Sequence, residues 1–364
     1  MLYTIPDYYR QFQCTADRCE DTCCAGWQIV IDNKSLHKYR KVRGKFGRRL
    51  RRSIHWRGKT FRQDKEKRCA FLEPDNLCSM YTELGAKGLC RTCRLYPRHV
   101  EEFEGVREIT LSVSCPEVAR ILLGKEEPVC FLTYEKEGEE EYEDYNPFLY
   151  SKLADGQKEI LGILQNRKIE LKERIELVLS LAEDMERYVE KDKLFSCDEV
   201  FEKYREKCVC AEISETVDRK FCRNPRKVFR KLYTMEFLRE DWEPHLRETE
   251  DILYGSGRES YKKTQEEFAE WLEIHMPRWQ VQCEQLLVYF IATYFCGAVY
   301  DGKIYAKARM SVVSVFLIYE MLVARWCKNE RQLDFEDVVE IVYRYSREVE
   351  HSDKNLELLE RIEY

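Results

Sequence analysis

No run of uncharged apolar residues in this chain of 364 reaches the roughly 20 needed to cross a bilayer. The longest, Leu286 to Tyr300, stops short, and no membrane contact is expected. The opening residues, Met-Leu-Tyr-Thr-Ile-Pro-Asp-Tyr-Tyr-Arg, lack a basic segment leading into an apolar one. No export signal is recognisable there, which predicts the cytoplasm. No G-x-G-x-x-G follows a predicted strand, so a dinucleotide-type glycine loop is excluded. The six histidines, at 37, 55, 99, 245, 275 and 351, share no metal spacing, and none is assigned as a ligand. Internal repeats are absent, and the only biased tract is an acidic run from Glu135 to Asp144.

What is present begins with length enough for two domains and a sizeable core. Hydrophobic residues make up 44% and charged residues 35%, the balance of a soluble, helix-rich protein. Net charge is only -6, but it is unevenly spread. Between Lys38 and Arg68 stand 15 Lys or Arg against Asp64 and Glu66, so this stretch carries +13 and the rest -19. Such a stretch either steers an acidic partner or forms a solvated face; a protein-facing surface is favoured over a nucleic-acid groove. Tyr39, Phe46, Trp56 and Phe61 interleave it as its candidate buried face.

The dominant feature is cysteine. Of 17, ten lie at or before Cys130, and Cys14-x4-Cys19-x3-Cys23-Cys24 packs four thiols into eleven residues. In a reducing compartment so dense a cluster reads as a soft-metal site, because disulfides do not persist there. An adjacent pair such as Cys23-Cys24 also rarely meets disulfide geometry with itself. Adding Cys69, Cys78, the C-x2-C pair Cys90 and Cys93, and Cys115 gives nine candidate ligands, more than one tetrahedral zinc ion uses. Four would satisfy a [4Fe-4S] cluster. The remainder would be buried thiols or a second site, and for Cys78 and Cys130 a buried free thiol is an equal reading.

Residues 1 to about 130 read as irregular, ending in two short strands joined at Glu104-Gly105 and a helix from Glu117 to Leu123 stopped by Gly124. The acidic run reads as a solvated linker over 131 to 146. Beyond it, helical spacing links Ile175, Val178, Leu179, Ala182, Met185 and Val189, and again Val228, Phe229, Leu232, Tyr233 and Phe237. Leu286 to Tyr300 and Met310 to Trp326 are apolar nearly all round, as at the centre of a bundle. Asp334 caps a last amphipathic helix through about Val349. The expected fold is therefore mainly α: an irregular cysteine-rich metal-binding domain over 1–130 with a short β-hairpin, and a helical bundle over 147–364.

Several of these residues carry a resemblance. Cys14-x4-Cys19-Glu20-Asp21-Thr22-Cys23-Cys24-Ala25-Gly26-Trp27, Cys69-Ala70-Phe71-Leu72, Leu77-Cys78, Leu89-Cys90-Arg91-Thr92-Cys93-Arg94-Leu95-Tyr96-Pro97-Arg98 and Ser112-Val113-Ser114-Cys115-Pro116-Glu117 resemble the motif series of the flagellin lysine-N-methylase family. Glu284-x4-Tyr289-Phe290 and Val299-Tyr300-Asp301-Gly302 resemble its C-terminal signature. The cysteines also resemble small zinc- or iron-chelating domains with a Cys-Cys doublet. Membership in the methylase family implies an iron-sulfur protein that moves a methyl group from S-adenosylmethionine to lysine ε-amines of flagellin.

That chemistry requires a deprotonated amine and favours aromatic walls around a sulfonium. Tyr300 and Asp301 are the catalytic candidates, and Tyr289 and Tyr294 the donor-binding ones, although aromatics at helical spacing are more often core. The missing glycine loop places the donor in another pocket, for which the seam between the two domains is the expected location. The alternatives are a zinc- or iron-binding interaction module without catalysis, docking through its basic stretch, and an iron-sulfur electron carrier.

Overall fold

The computed structural model describes residues 1–138, 144–211 and 224–363, and the middle of the acidic run lies outside them. The chain is mainly helical, with one four-stranded sheet and one two-stranded ribbon. The strands are β1 (Leu2–Pro6), β2 (Ile54–His55), β3 (Thr60–Phe61), β4 (Arg98–Phe103), β5 (Val106–Leu111) and β6 (Phe131–Glu135). Short helices occupy the first third: α1 (Asn33–Lys41), α2 (Gly44–Arg52), α3 (Ser79–Leu84), α4 (Arg91–Leu95) and α5 (Pro116–Leu123). The bundle follows as α6 (Pro147–Leu164), α7 (Leu171–Glu190), α8 (Cys197–Ala211), α9 (Pro225–Phe229), α10 (Trp242–Tyr254), α11 (Arg258–His275), α12 (Trp279–Tyr294), α13 (Ala298–Asp301), α14 (Ile304–Lys328), α15 (Phe335–Glu350) and α16 (Asp353–Glu360).

The large sheet runs β4-β5-β1-β6. β4 and β5 form the expected hairpin, with Phe103 opposite Val106 and Gly105 at φ 69°, a conformation glycine adopts without steric cost. β1 then lies parallel to β5, and β6 closes the other side antiparallel to β1, from Leu2 opposite Glu135 to Pro6 opposite Phe131. The start of the expected linker is thus a strand of the sheet. Phe103 and Leu111 are fully buried, and Thr110 and Thr293 share a 3.0 Å hydroxyl hydrogen bond that joins the sheet to α12.

The core is divided in two. The larger part joins Tyr8, Phe103, Leu111, Val113, Val118 and Val129 to the bundle, so the first segment of the chain contributes its ends to the second. The smaller part holds Ile29, Ile31, Leu36, Tyr39, Leu50, Ile54, Phe61, Phe71 and Met80. It belongs to a lobe that leaves the sheet after β1 and returns at β4. This lobe was expected to be irregular, yet it contains α1 to α4. Each is too short for a helical period to stand out over 11 to 18 residues. Nine-residue α2 buries only Gly47 and Leu50 and turns its arginines outward. A Cβ at Gly47 would lie 2.1 Å from the Val42 carbonyl oxygen, so only glycine fits there. Phe61 and Phe71 meet edge to face at 5.2 Å, and the Tyr39 hydroxyl donates to the Gly88 carbonyl at 2.9 Å. The expected aromatic face of the basic stretch is therefore real: Tyr39 and Phe61 are buried, while Phe46 and Trp56 pack against the same core.

In the bundle, α12 and α14 are covered from all sides. The segment Trp279–Asp301, which runs from α12 through α13, and α14 are each long and apolar enough to cross a membrane, but 83% and 78% of their apolar windows are buried inside the protein, as befits core helices. Asp334 caps α15 through a reciprocal capping box with Asp337, as the sequence predicts, although α16 follows it. The helix expected through Phe237 instead ends at Phe229 and relaxes into a 3-10 turn over Arg230–Thr234. Side chains from elsewhere take up the backbone groups beyond it. Asn355 accepts from the Glu236 amide at 2.7 Å and donates to its carbonyl at 2.9 Å, while Glu348 accepts from the Leu238 amide at 2.8 Å.

Three carboxylates organise the bundle interior, Glu284 and Glu320 fully buried and Glu350 partly buried. Glu284 on α12 receives Arg174 at 2.8 Å and Arg167 at 2.8 Å. Glu350 is bonded by Tyr289, Tyr294 and Ser346. Glu320 on α14 accepts from Tyr254, from Tyr261 at 2.9 Å and from Gln265 at 2.9 Å. Burial pushes the Glu320 carboxyl up to about 7, against the opposing pull of its three donors. A carboxyl raised in the folded state stabilises below its unfolded value of 4.5, and this stabilisation is lost as pH rises through about 7. Glu320→Gln should therefore flatten the fall in stability between these pH values by on the order of 3 kcal/mol. Urea denaturation of both proteins across that range, with an unchanged slope in the variant, would refute the assignment.

Candidate metal centre

The lobe gathers six of the nine candidate cysteines. Cys69 and Cys90 are in its core, and Cys24, Cys78 and Cys93 pack against it. Their thiols meet directly: Cys24 contacts Cys23 and Cys78, and Cys90 contacts Cys93. The local backbone explains this convergence. Isolated bridges pair Ala25 with Arg68, Gln63 with Cys69 and Leu72 with Cys78, so three loops are laced side by side. The amide of Cys69 donates to the Cys24 carbonyl at 2.8 Å. Helix α4 places Cys93 one turn from Cys90, its cap residue.

The remaining candidates lie elsewhere. Cys115, at the N-cap of α5, belongs to the larger core, with Cys19 as its thiol neighbour. Cys14 is exposed. No cysteine among the described residues is in a disulfide.

Electrostatics in the cluster reflect thiols crowding thiols. The Cys24 thiol is held well above its ordinary value, first by its contact with Cys23. Cys78 is raised by its contact with Cys24 and then by burial, and Cys93 is raised by its contact with Cys90. Cys90, the acceptor of that last pair, is lowered by it. Burial pushes Cys69 up to about 12. Soft donors of this kind suit a thiophilic cation, whose positive charge would reverse the mutual repulsion of thiolates. Among the described residues, however, no three His, Cys, Asp or Glu side chains are placed to hold one ion. The donor chemistry fits a metal, and the arrangement is one of contacting pairs rather than a closed coordination shell.

A buried arginine fastens this cysteine loop to the bundle. Arg347 on α15 pairs with Asp21 at 2.8 Å, donates to the Asp21 carbonyl at 2.5 Å and the Thr22 carbonyl at 3.2 Å, and reaches the Ser114 carbonyl at 2.8 Å. Arg239 gives Asp21 a second cation at 2.8 Å. Beside them His351 hydrogen-bonds the Ser114 hydroxyl at 3.0 Å and lies 4.8 Å from the Trp27 ring, which adjoins Tyr96 at 6.1 Å. Burial, then the Arg347 charge, push His351 down to about 3, so it stays neutral at ordinary pH. Sequence reasoning passed over Arg347, yet a signal was there: it continues the inward stripe Val339, Tyr343, Arg347 at helical spacing, where a cation requires a partner.

The four tyrosine and aspartate candidates do not form one site. Tyr289 and Tyr294 are committed to Glu350, and Tyr289 is 2% exposed. Tyr300 is 43% exposed at the end of the bundle, its ring 6.5 Å from Phe103 and 6.4 Å from Tyr145. Asp301 accepts from the Lys303 amide at 3.0 Å and faces the ammonium groups of Lys303 at 3.5 Å and Lys307 at 3.7 Å.

Residues 157–363 match the family model described as the FliB lysine N-methylase C-terminal domain. The chain belongs to this family. The match covers the bundle that carries Glu284, Tyr289, Arg347 and Glu350. The lysine-N-methylase of Salmonella typhimurium strain LT2 is 30% identical over 129 residues, 33% of this chain and 32% of that protein. The flagellar biosynthetic protein FliU of Salmonella muenchen is 30% identical over 129 residues, 33% of this chain and 76% of that protein. The matched stretch thus spans about a third of the Salmonella methylase. No solved structure matches.

Replacing Arg347 by leucine should leave Asp21 with Arg239 alone and free three carbonyls from their donor. Losing one partner of a buried pair costs about 3–5 kcal/mol, and here the loss falls on the seam. Hydrogen exchange in residues 19–27 should rise while α12 stays protected; unchanged protection of that loop would show that Arg347 does not hold it.

Proposed function

We propose that this FliB-family protein transfers methyl groups from S-adenosylmethionine to lysine side chains of flagellin, and that its small lobe holds a [4Fe-4S] cluster, with zinc as the alternative metal. The observation that carries the reading is the latch of Arg347 on Asp21, which joins the thiol cluster to the bundle matched by the family model. The names of the Salmonella relatives, lysine-N-methylase and FliU, support lysine methylation and a flagellar substrate. Cys23, Cys24, Cys69, Cys78, Cys90 and Cys93 are the residues that would hold the metal. A cluster ligated there would tie together loops that now meet through paired thiols.

Adenosylmethionine offers an electrophilic methyl on a sulfonium. The lysine must arrive as the neutral amine: its lone pair forms the carbon–nitrogen bond as the carbon–sulfur bond breaks, S-adenosylhomocysteine leaves, and the extra proton on nitrogen passes to a base or to solvent. Asp301 is a carboxylate at a partly open edge, beside the exposed face of Tyr300. We assign Asp301 to receive that proton and Tyr300 to face the cationic groups. Tyr289 and Tyr294 reach a donor only if Glu350 gives them up. Their part in this reading is to hold the helix that leads to Tyr300.

The decisive measurement is mass spectrometry of flagellin after incubation with anaerobically purified protein and labelled donor. Methyl label on lysines is expected, at a rate rising with pH toward the substrate amine's pKa. Tyr300→Leu and Asp301→Asn should each lower the rate about tenfold or more with little change in melting temperature. Iron and sulfide should accompany the protein and fall in Cys93→Ala, together with protease resistance of the small lobe. Unlabelled flagellin with the metal intact would favour a binding module or an electron carrier. Zinc without sulfide would replace the cluster.

A further inference from the structure

A cleft of about 940 Å³ lies between the small lobe and the β4–β5 hairpin. It is within the size range of ligand sites, about 300–1,000 Å³. Its cations come from separate segments: Lys34 from α1, Lys59 from the turn between β2 and β3, Arg91 and Arg94 from α4, and Arg107 from β5. Two carboxylates share the lining, and both are already engaged. Asp32 accepts the backbone amides of Ser35 and Arg91, each at 2.8 Å, and Glu102 pairs with Arg107. Lys34, Lys59 and Arg94 are exposed and make no ion pair among the described residues. On the lobe side the lining is held in place, because the Thr92 hydroxyl of α4 donates to the Val30 carbonyl at 2.8 Å. The cleft is therefore left with excess positive charge at its rim.

We infer that this cleft binds an acidic segment of a partner polypeptide, with Lys34, Lys59 and Arg94 receiving its carboxylates. Adenosylmethionine is a poor occupant, since its sulfonium and ammonium would face the same cations. A nucleic-acid backbone needs an unbroken cationic track, whereas Asp32 and Glu102 interrupt this one with negative charge. A polypeptide can space its carboxylates to match, and it can set an apolar side chain against Val30, which is 53% exposed at the edge. The +13 of the surrounding stretch draws such a partner in, and the cleft lets its carboxylates come within the screening length of about 8 Å, where the attraction is strong. Binding at this cleft does not require methyl transfer.

The test is fluorescence anisotropy of a labelled oligoglutamate peptide with the full chain, without methyl donor. Saturable binding that weakens with salt is expected, with none for oligoglutamine. Lys34→Gln with Lys59→Asn should weaken it about tenfold, asparagine being chosen because residue 59 has φ 52°, which it tolerates. The control pair Lys45→Gln and Arg48→Gln, exposed on α2, should change it less than about twofold. Equal losses in both pairs would reduce the effect to general basicity and overturn the inference, as would the absence of saturable peptide binding. Tighter, equally cleft-dependent binding of an oligothymidylate would overturn it in favour of nucleic acid. Should the double variant melt early, Lys34→Gln alone, on an exposed first turn, carries the comparison.

Discussion

The buried contact between Arg347 and Asp21 is the constraint on which the relation of the two parts of this protein depends. A guanidinium with 5% of its side chain exposed cannot be left without a counter-charge, and the carboxylate that answers it comes from the far end of the sequence. Arg347 also caps three carbonyls, of Asp21, Thr22 and Ser114, that otherwise face the protein interior. One side chain therefore fixes the cysteine loop, the start of α5 and the last third of the bundle. Because Cys23 and Cys24 follow Thr22 directly, the position of the thiol cluster is set from the bundle side as well as from its own lobe.

Much of the bundle was legible because its helices are long. The all-round apolar character of α12 and α14 announces burial, and the capping box of Asp334 announces where α15 begins. The hairpin was legible from a glycine between two alternating runs. Strand β1 was not: five residues at the start of a chain acquire their role only from β5 and β6, with which they pair across more than a hundred positions. Nor was the end of α9, where Asn355 and Glu348 compete for backbone groups that local spacing would assign to a helix.

The cysteines were legible as a cluster but not as a geometry. Spacing put Cys115 alongside Cys90 and Cys93, whereas the fold gives it to the larger core. It brought Cys78 onto Cys24 through a bridge between Leu72 and Cys78 that no short motif contains. In the same way the Glu284, Tyr289 and Tyr300 signature reads as one motif in sequence and resolves into three environments. Glu284 neutralises two arginines, Tyr289 serves Glu350, and Tyr300 alone stands half open at the surface.

This division of labour bears on why the bundle tolerates so many buried acids. Glu284 is matched by full charges, while Glu320 and Glu350 are met by hydroxyl and amide donors that leave burial the stronger influence. The first kind of site holds helices together only as an ion pair. The second holds them through hydroxyl and amide donors, with burial disfavouring the ionised form. A lobe carrying +13 over one stretch, set against a remainder of -19, would be drawn to that remainder in many orientations by long-range attraction alone. Selecting one orientation falls to contacts that are both charged and buried, and Asp21 between Arg347 and Arg239 is such a contact. Its specificity comes from geometry: the backbone carbonyls around Arg347 are satisfied in one docking of the lobe, and a shifted lobe would leave them unpaired.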